Sequence, residues 1–419
     1  MKFSQIEEVL SGKVTGKVSL RGWAYRVRDQ KDLVFIMLRD SSGIIQLACK
    51  GIKDAPNVTI ESSVEIEGTA KEDKRAPGGY EIGVSQLKII GLAERFPIVK
   101  DQSEEFLREQ RHLWLRGKRM TSLMKIRAEV FKAFRQFHYD RGYIEFHAPI
   151  FTPSEAEGGS TLFEVKYGDK EGVYLTQTWQ LYAEAAIFSL ERIFTIAPTF
   201  RAEKSRTKRH LSEFWMAEME AAWMDHEQLM EFEEDMIIYI IDYVIKTCKG
   251  ELEYLERDID ELKKIKKPFM KMPYDEALEI LGKPKGYDLT DKDERELLDK
   301  VGKGPIHLTQ FPRDMKAFYM KVDPKDPKKV KASDLLMPGM GEIIGGSERI
   351  SDPKELEESL KIFKLKKEDY GWYMDLRKYG TVPHSGFGLG VERLVVWLAG
   401  IEHIMDAIAF PRTMDRVYP

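Results

Sequence analysis

Apolar and polar positions alternate in short runs through the N-terminal part of the chain, and glycine or charged turns separate the runs. Five runs lie between Ser11 and Leu92: KVSLRGWAYRVRD, LVFIMLRD, GIIQLACK, SSVEIEGTAKED and YEIGVSQLKII. Alternation with a period of two is typical of half-buried β-strands. The pattern predicts a small closed antiparallel barrel, and the OB-fold is a five-stranded barrel whose exposed face and loops bind oligonucleotides. A barrel without a ligand fits the strand pattern equally well.

The pattern changes to helical spacing further along the chain. Ile126, Val130 and Phe134 recur at every fourth position of the segment 123–139. This spacing predicts an amphipathic helix, and Gly142 ends it. The strand YIEFHAPI follows, and its proline is restricted to an edge or terminal position because proline cannot donate to a ladder.

The remaining chain predicts a second domain, of the α+β class, over residues 121–419. FTIAPTF and EFWMAEMEAAW are predicted to be paired strands, a long helix is predicted over 227–249, and strand signals return at PIHLTQFP and AFYMKV. The charged region around 250–303 predicts a helical insertion without chemistry of its own. A charged connector over 96–120 predicts a hinge to the barrel, which occupies residues 1–95.

Composition and charge limit the classes of protein. The formal net charge of the 419 residues is −4, from 66 basic and 70 acidic side chains, so nucleic-acid binding would depend on local basic patches. Cys49 and Cys248 are the only cysteines, which excludes a disulfide framework and a clustered zinc site and suits a reducing cytoplasm. No apolar run approaches the roughly 20 residues of a membrane span, so no membrane association is predicted.

A basic segment between two predicted strands has the composition of a nucleotide site. Arg201 and Glu203 precede a loop with four cations between positions 204 and 209, and Phe214 begins the second strand. A guanidinium suits phosphate, a carboxylate suits an exocyclic amine, and an aromatic ring suits a base. A solvated hairpin with salt bridges has the same charge pattern, so the charges alone leave both interpretations open.

Three segments resemble the signature motifs of a known family. FRAE followed by RHLSEF is similar to the second motif of class II aminoacyl-tRNA synthetases of the aspartyl, asparaginyl and lysyl branch, and HSGFGLGVERLVVWLAG resembles the third. The helix and strand over 126–149 are similar to the weaker first motif. The resemblance implies an OB-fold barrel followed by a catalytic domain with an antiparallel sheet flanked by helices. It also implies a homodimer that forms through the 126–149 region.

The resemblance further implies an ATP site and a catalytic set of three residues. Arg201 would bridge the α-phosphate, Arg393 would hold the γ-phosphate end, and Glu342 would act through Mg²⁺. The cation would bind Asp334 and Glu342, because carboxylates supply the hard oxygen ligands that it prefers. Taken alone, these two acids would be turn and cap residues. The implied ATP-binding residues are Arg201, Glu203, Arg209, His210, Phe214, Glu342 and Arg393.

Four side chains are expected to select the amino acid. Glu157 matches a mobile lid position that meets the α-ammonium, and Gln180 and Glu184 lie about one helical turn apart. The segment QLYAE resembles the asparaginyl members, whereas aspartyl members carry QLYKQ, so L-asparagine and tRNA(Asn) are the expected substrates. Arg349 would donate to the side-chain carbonyl of asparagine, and Glu184 would accept from its amide. An aspartyl enzyme, including one that also charges tRNA for asparagine, stays open as the alternative.

The N-terminal segment resembles the anticodon-binding barrel of the same branch. The resemblance implies that Arg26, Arg28, Phe35 and Gln46 bind the anticodon, with Phe35 stacked on its central base, a U. Periodicity alone would place Phe35 in the core. An ammonia-dependent asparagine synthetase on the same catalytic fold would need no such barrel, and a non-catalytic RNA-binding relative would not need an intact Arg201.

Overall fold

The computed structural model describes residues 2–157, 162–202, 210–302 and 304–419. It divides into two compact units, Met1–Leu107 and Arg108–Pro419. Each unit has its own hydrophobic core. The division lies within the predicted hinge.

The first unit is a closed barrel of five strands. Its elements are helix α1 (Ile6–Leu10) and strands β1 (Gly16–Gln30), β2 (Leu33–Arg39), β3 (Ile44–Lys50), β4 (Ser63–Glu72) and β5 (Tyr80–Gly91). The strands pair in the order β1-β2-β3-β5-β4. Along β2, Val34, Ile36 and Leu38 are buried in the barrel core and the residues between them are half-buried. The predicted OB-fold barrel is confirmed.

The second unit is built on an eight-stranded sheet with two small hairpins beside it. Its strands are β6 (Ile144–Glu145), β7 (Phe151–Thr152), β8 (Tyr174–Leu175), β9 (Arg192–Phe200), β10 (Glu213–Ala222), β11 (Met270–Pro273), β12 (Ile306–Thr309), β13 (Val322–Asp323), β14 (Asp326–Val330), β15 (Ala332–Met337), β16 (Gly341–Glu348) and β17 (His384–Gly390). The large sheet has the order β11-β12-β15-β16-β17-β10-β9-β6.

Helices precede, connect and follow these strands in the chain. They are α2 (Glu104–Glu109), α3 (Arg111–Trp114), α4 (Lys118–Tyr139), α5 (Gln180–Leu190), α6 (His226–Thr247), α7 (Lys249–Tyr254), α8 (Ile259–Lys263), α9 (Tyr274–Leu281), α10 (Asp291–Val301), α11 (Pro353–Ile362), α12 (Gly371–Lys378) and α13 (Val391–Ala399). Helix α2 spans the boundary between the two units. Met219, Leu335 and Leu389 of the sheet pack against apolar residues of α4, α6 and α13. This helical layer covers one face of the sheet.

The sheet is antiparallel through its six middle strands and parallel at both edges. The prediction of an antiparallel sheet is therefore right for the middle and incomplete at the edges. Parallel neighbours need a crossover connection. Helices α9 and α10 lie between β11 and β12 in the chain, and α5 lies between β6 and β9.

Two local features differ from the sequence-based expectation. The insertion around 250–303 contains strand β11 as well as helices, and α9 and α10 pack with β12 around an apolar cluster that includes Tyr274, Leu297 and Leu308. Strand β6 is only two residues long, so Pro149 lies beyond it.

The cysteines and the helices bear on the predictions from composition. Cys49 and Cys248 are buried free thiols in different units. Among the described residues, no helix combines the length and the apolarity that crossing a bilayer requires.

Candidate active site

A cavity of about 560 Å³ opens on the sheet face opposite the helical layer. Along β10, Phe214, Met216 and Glu218 line the cavity, while Ala217 and Met219 lie in the core. Successive side chains of a strand point to opposite faces, so one strand supplies both the cavity wall and the core. A volume of this size is typical of sites that enclose a small-molecule ligand.

Glycines of β17 leave space for the cavity because they have no side chains. Gly388 and Gly390 line it, and Gly386 continues the same row. A Cβ atom on Gly388 would lie 2.5 Å from Met216 Cε. A Cβ atom on Gly386 would lie 2.2 Å from the carboxyl carbon of Glu220, a separation that the folded chain could not accept without moving that carboxylate.

Cationic and aromatic groups share the cavity. The guanidinium carbon of Arg201, which follows β9, lies 5.5 Å from the centroid of the Phe214 ring. Arg201 Nε has no hydrogen-bond partner among the residues that the structure describes. The predicted ATP-binding residues that line the cavity are Arg201, His210, Phe214, Glu342 and Arg393. Those that lie outside the described residues are Glu203 and Arg209.

Two carboxylates approach each other beside Gly345 of β16. A Cβ atom on Gly345 would lie 3.5 Å from Glu342 Oε1 and 3.6 Å from Asp334 Oδ1. Arg393 donates to Glu342 Oε2 at 2.9 Å, and Lys316 Nζ lies 2.6 Å from each oxygen of Asp334. Burial raises the pKa of Asp334 to about 6, against the opposing effect of Lys316. Two carboxylates over a residue without a side chain fit the hard oxygen ligands that Mg²⁺ prefers.

A β-bulge sets the position of Glu342. The register of β15 and β16 shifts, so that Leu335 lies opposite Ile344 whereas Leu336 lies opposite Glu342. The backbone N–H of Glu342 donates to Glu294 Oε2 of α10 at 2.9 Å. The insertion was expected to have no chemistry of its own, yet it holds the backbone of a predicted cation ligand.

A buried ion pair continues the row of β10 side chains. Glu220 follows Glu218 with the period of two, and its partner Arg349 lines the cavity. Arg349 Nε donates to Glu220 Oε1 at 3.0 Å, Nη2 donates to the same oxygen, and Nη1 donates to Ser347 at 2.6 Å. Burial raises the pKa of Glu220 above its usual range, and Arg349 opposes that rise. Together the pair presents one donor group and one acceptor group.

Glu184 is enclosed by protein side chains. Its exposed fraction is 0%, and it does not line the cavity. The donors to its carboxylate are Gln180 at 2.9 Å, Tyr373 at 2.7 Å, His384 at 3.0 Å and Arg377. Burial alone would raise the pKa of Glu184, but Arg377 and His384 hold it well below its usual range.

These contacts bear on the role that the sequence predicts for Glu184. The prediction paired Glu184 and Arg349 across an amide-binding pocket. Helix α12 instead packs against α5 and gives Glu184 the guanidinium of Arg377, while Arg349 takes Glu220 as its partner. The predicted spacing of Gln180 and Glu184 on one helix face is confirmed, and its effect is to satisfy a buried carboxylate.

Further acidic side chains line the cavity near Thr178. Glu157 accepts a hydrogen bond from Tyr319 at 2.9 Å, and Glu218 accepts from the Thr178 hydroxyl and from the next backbone N–H. Gln180 also lines the cavity. Burial raises the pKa of Glu218 to about 7, and the charge of Glu157 adds to the rise. A bound ammonium group would be attracted to these two carboxylates.

Comparison with known families assigns both units. A family model described as tRNA synthetases class II (D, K and N) matches residues 103–414. A model described as OB-fold nucleic acid binding domain matches residues 18–90.

The chain belongs to the class II tRNA synthetases of the D, K and N group.

This class II synthetase is similar over nearly its whole length to proteins named asparagine–tRNA ligase. The protein from Thermoplasma acidophilum is 47% identical over 97% of each chain, and the protein from Thermococcus kodakarensis is 47% identical over 96% of each chain. Among solved structures, asparaginyl-tRNA synthetase from Pyrococcus horikoshii complexed with asparaginyl-adenylate has a TM-score of 0.96, with 42% identity over 100% of both chains.

The barrel of the synthetase carries the predicted anticodon-binding residues on its outer side. Arg28 lies opposite Phe35 across β1 and β2, and the Phe35 ring is half-buried outside the barrel core. Arg26 is exposed, and Gln46 of β3 donates to Glu81 Oε2 at 2.7 Å. The core position that periodicity would give Phe35 is not observed, because its neighbours along β2 fill the barrel.

Several charged residues at the synthetase cavity are absent from the sequence-based prediction, among them the lining residues Glu218 and Lys316 and the Arg349 partner Glu220. The sequence could have indicated Glu218 and Glu220 as site residues, because they continue the period-two series that Phe214 begins on β10. Lys316 carries no comparable signal, since it follows the short turn Arg313–Met315 and belongs to no helix or strand.

Proposed function

We propose that this chain is an asparagine–tRNA ligase, which activates L-asparagine with ATP and transfers the asparaginyl group to the 3′ end of tRNA(Asn). Relatives that are 47% identical over 96 to 97% of the chain have that name, and a similar solved structure holds asparaginyl-adenylate. Within the chain, the proposal depends on one observation, the ion pair of Glu220 with Arg349, which lines the cavity.

The amino acid supplies the nucleophile in the first step of this reaction. Its carboxylate attacks the α-phosphorus of ATP and pyrophosphate leaves, so the protein has to align two anions and stabilise the charge that develops on the α-phosphate. Arg201 holds that phosphate with a guanidinium whose Nε has no partner among the described residues. Phe214 stacks on adenine, while His210 and Arg393 bind the remaining phosphates from the cavity wall.

Asp334 and Glu342 are the residues that would hold Mg²⁺, which when bound neutralises charge on the polyphosphate. Their convergence beside Gly345 supports this assignment. Glu294 acts on the same site from α10, because it fixes the backbone N–H of Glu342 at 2.9 Å.

The opposite charges of the cavity orient asparagine by its α-ammonium group and its side-chain amide. Glu157 and Glu218 receive the α-ammonium, and Arg349 donates to the side-chain carbonyl oxygen. Glu220, which bonds to the cavity residue Arg349, accepts from the amide NH₂ in place of Glu184. Because Glu220 holds Arg349 in place through Nε, donor and acceptor are set before the ligand enters.

The same pair discriminates against aspartate by charge. Aspartate would bring a second carboxylate to about 4 Å from Glu220, where the repulsion is on the order of 4 kcal/mol at an effective dielectric constant of about 20. That energy corresponds to a preference for asparagine of roughly a thousandfold. Exchanging Glu220 for glutamine removes the repulsive charge and frees Arg349 to pair with aspartate.

Amino-acid-dependent pyrophosphate exchange, run with asparagine and aspartate side by side, tests the proposal. We expect the wild type to use asparagine, and Glu220→Gln to lower the asparagine-to-aspartate ratio of kcat/KM by at least about tenfold. Glu348→Gln is the matched control, because Glu348 is equally buried and pairs with Lys321 and Lys331 away from the cavity. A wild type that prefers aspartate would instead establish the aspartyl alternative.

The tRNA and the second copy of the chain belong to the same proposal. Arg26, Arg28 and Phe35 on the barrel bind the anticodon, and Gln46 contributes its amide. The predicted homodimer forms around residues 126–149, where Tyr139 and Ile144 are nearly half exposed. A cytoplasmic location, where ATP and tRNA are available, completes the proposal.

A further inference from the structure

Lys316 bonds to Asp334 with a geometry that sets it apart from a surface ion pair. Its Nζ lies 2.6 Å from both carboxylate oxygens, and the two side chains are each 16% exposed. The same ammonium lies 3.8 Å from the centroid of the Phe311 ring. Lys316 is thus held between a carboxylate and an aromatic face at the edge of the cavity that it lines.

Both acids of the proposed cation site have a basic partner in this structure. Arg393 donates to Glu342, and Lys316 donates to Asp334. The arrangement is electrically balanced, so a divalent cation at these acids would stand close to an ammonium of like charge. Asp334 therefore cannot coordinate a cation with both of its oxygens while Lys316 is hydrogen-bonded to them.

We propose that Lys316 is a counter-ion that competes with the divalent cation for Asp334, and that it turns to the polyphosphate when nucleotide and cation bind together. This inference rests on the proposed function, because it takes Asp334 and Glu342 as cation ligands. Its consequence is ordered binding: the cation binds weakly to the free protein and tightly as a complex with ATP.

The chemistry of lysine suits such an exchange of partners. An ammonium on a flexible four-carbon stem acts as a point charge and can move from carboxylate to phosphate without losing its partner. Lys316 lines the same cavity as Arg201 and Arg393, so a polyphosphate bound in this cavity would lie near the Lys316 ammonium. The protein thereby keeps the buried Asp334 carboxylate paired at each stage.

The test measures cation binding without nucleotide. Mn²⁺, as a probe for Mg²⁺, is titrated by calorimetry and by electron paramagnetic resonance into the wild type, Lys316→Met and Lys316→Arg. Methionine keeps the contact with Phe311 but removes the charge. The control is Lys329→Met, because Lys329 pairs with Asp275 at 2.7 Å, is 14% exposed and does not line the cavity.

We expect Lys316→Met to bind Mn²⁺ at least about tenfold more tightly than the wild type without ATP, and Lys316→Arg to bind it as weakly as the wild type. Adding Asp334→Asn to Lys316→Met should abolish the gain. We also expect Lys316→Met to raise KM for ATP in pyrophosphate exchange, since the phosphates lose a counter-ion.

Two negative results have different meanings. Equal Mn²⁺ affinity in the wild type and Lys316→Met, with normal wild-type exchange, would overturn the role of Lys316 and leave the proposed function intact. Absence of amino-acid-dependent exchange in the wild type would overturn the proposed function itself. If Lys316→Met is misfolded by circular dichroism, the comparison of Lys316→Ala with Lys316→Arg carries the same decision.

Discussion

Replacing Glu184 with glutamine removes one charge from a fully enclosed network and changes the shape of the side chain very little. In the wild type, Arg377 and Glu184 are both 0% exposed and pair directly, and His384 donates to the same carboxylate oxygen at 3.0 Å. Glutamine keeps one oxygen that can accept from Arg377. It leaves the guanidinium buried without a compensating charge.

The magnitude follows from that uncompensated charge. Removing one partner of a buried ion pair costs about 3 to 5 kcal/mol, and the oxygen that glutamine retains favours the lower end of the range. We expect Glu184→Gln to lower the free energy of unfolding by about 3 kcal/mol. For a unit of this size, that corresponds to a fall in Tm of roughly 6 °C.

Urea and thermal unfolding measure the effect, with Glu357→Gln as a control on an exposed carboxylate that pairs with Lys361 and Lys367. The double variant Glu184→Gln with Arg377→Met should recover part of the loss, because it removes both charges. The pH dependence of the free energy of unfolding can also be checked. Because the pKa of Glu184 is held below its ordinary value of 4.5, its stabilising contribution is complete above pH 4.5 and is lost as the pH falls further.

Specificity separates this prediction from the alternative role of Glu184. Folded Glu184→Gln should retain the wild-type preference for asparagine over aspartate, since Glu184 pairs with Arg377 and not with the cavity residue Arg349. An unchanged free energy of unfolding, together with a loss of discrimination as large as that of Glu220→Gln, would refute the reasoning. It would return Glu184 to the amide-binding role that the sequence suggests.

Two further predictions concern the ammonium site and the barrel. Because burial raises the pKa of Glu218 to about 7, kcat/KM for asparagine in pyrophosphate exchange should fall as the pH drops through 7, and Glu218→Gln should remove that step from the pH profile while lowering activity throughout. Phe35→Ala should raise KM for tRNA in aminoacylation by at least about tenfold and leave pyrophosphate exchange unchanged, whereas Met37→Ala on the same strand should change the KM for tRNA less.

Local patterns in the sequence predict the elements that carry the site, because strand alternation and helical spacing are properties of short segments. The barrel strands, the β9 and β10 hairpin and the turn from β17 into α13 all follow from such patterns. The partner of each buried charge does not follow from such local patterns. Glu184 and Arg377 lie 193 positions apart in the chain, and only the packing of α12 against α5 brings them together. The same holds for Lys316 and Asp334, which meet because a loop lies against β15.

The two buried arginine–glutamate pairs form an electrically balanced group. Arg349 with Glu220 and Arg377 with Glu184 contribute two positive and two negative charges, so their formal sum is zero. The charge of Glu184 raises the pKa of Glu220, and Arg377 and His384 keep Glu184 in its charged form. An amide leaves this balance unchanged, because its NH₂ group can donate to Glu220 and its oxygen can accept from Arg349. Under the proposed function, a carboxylate would add a negative charge beside Glu220, so the discrimination depends on the Arg349–Glu220 pair, whereas the Arg377–Glu184 pair contributes to stability.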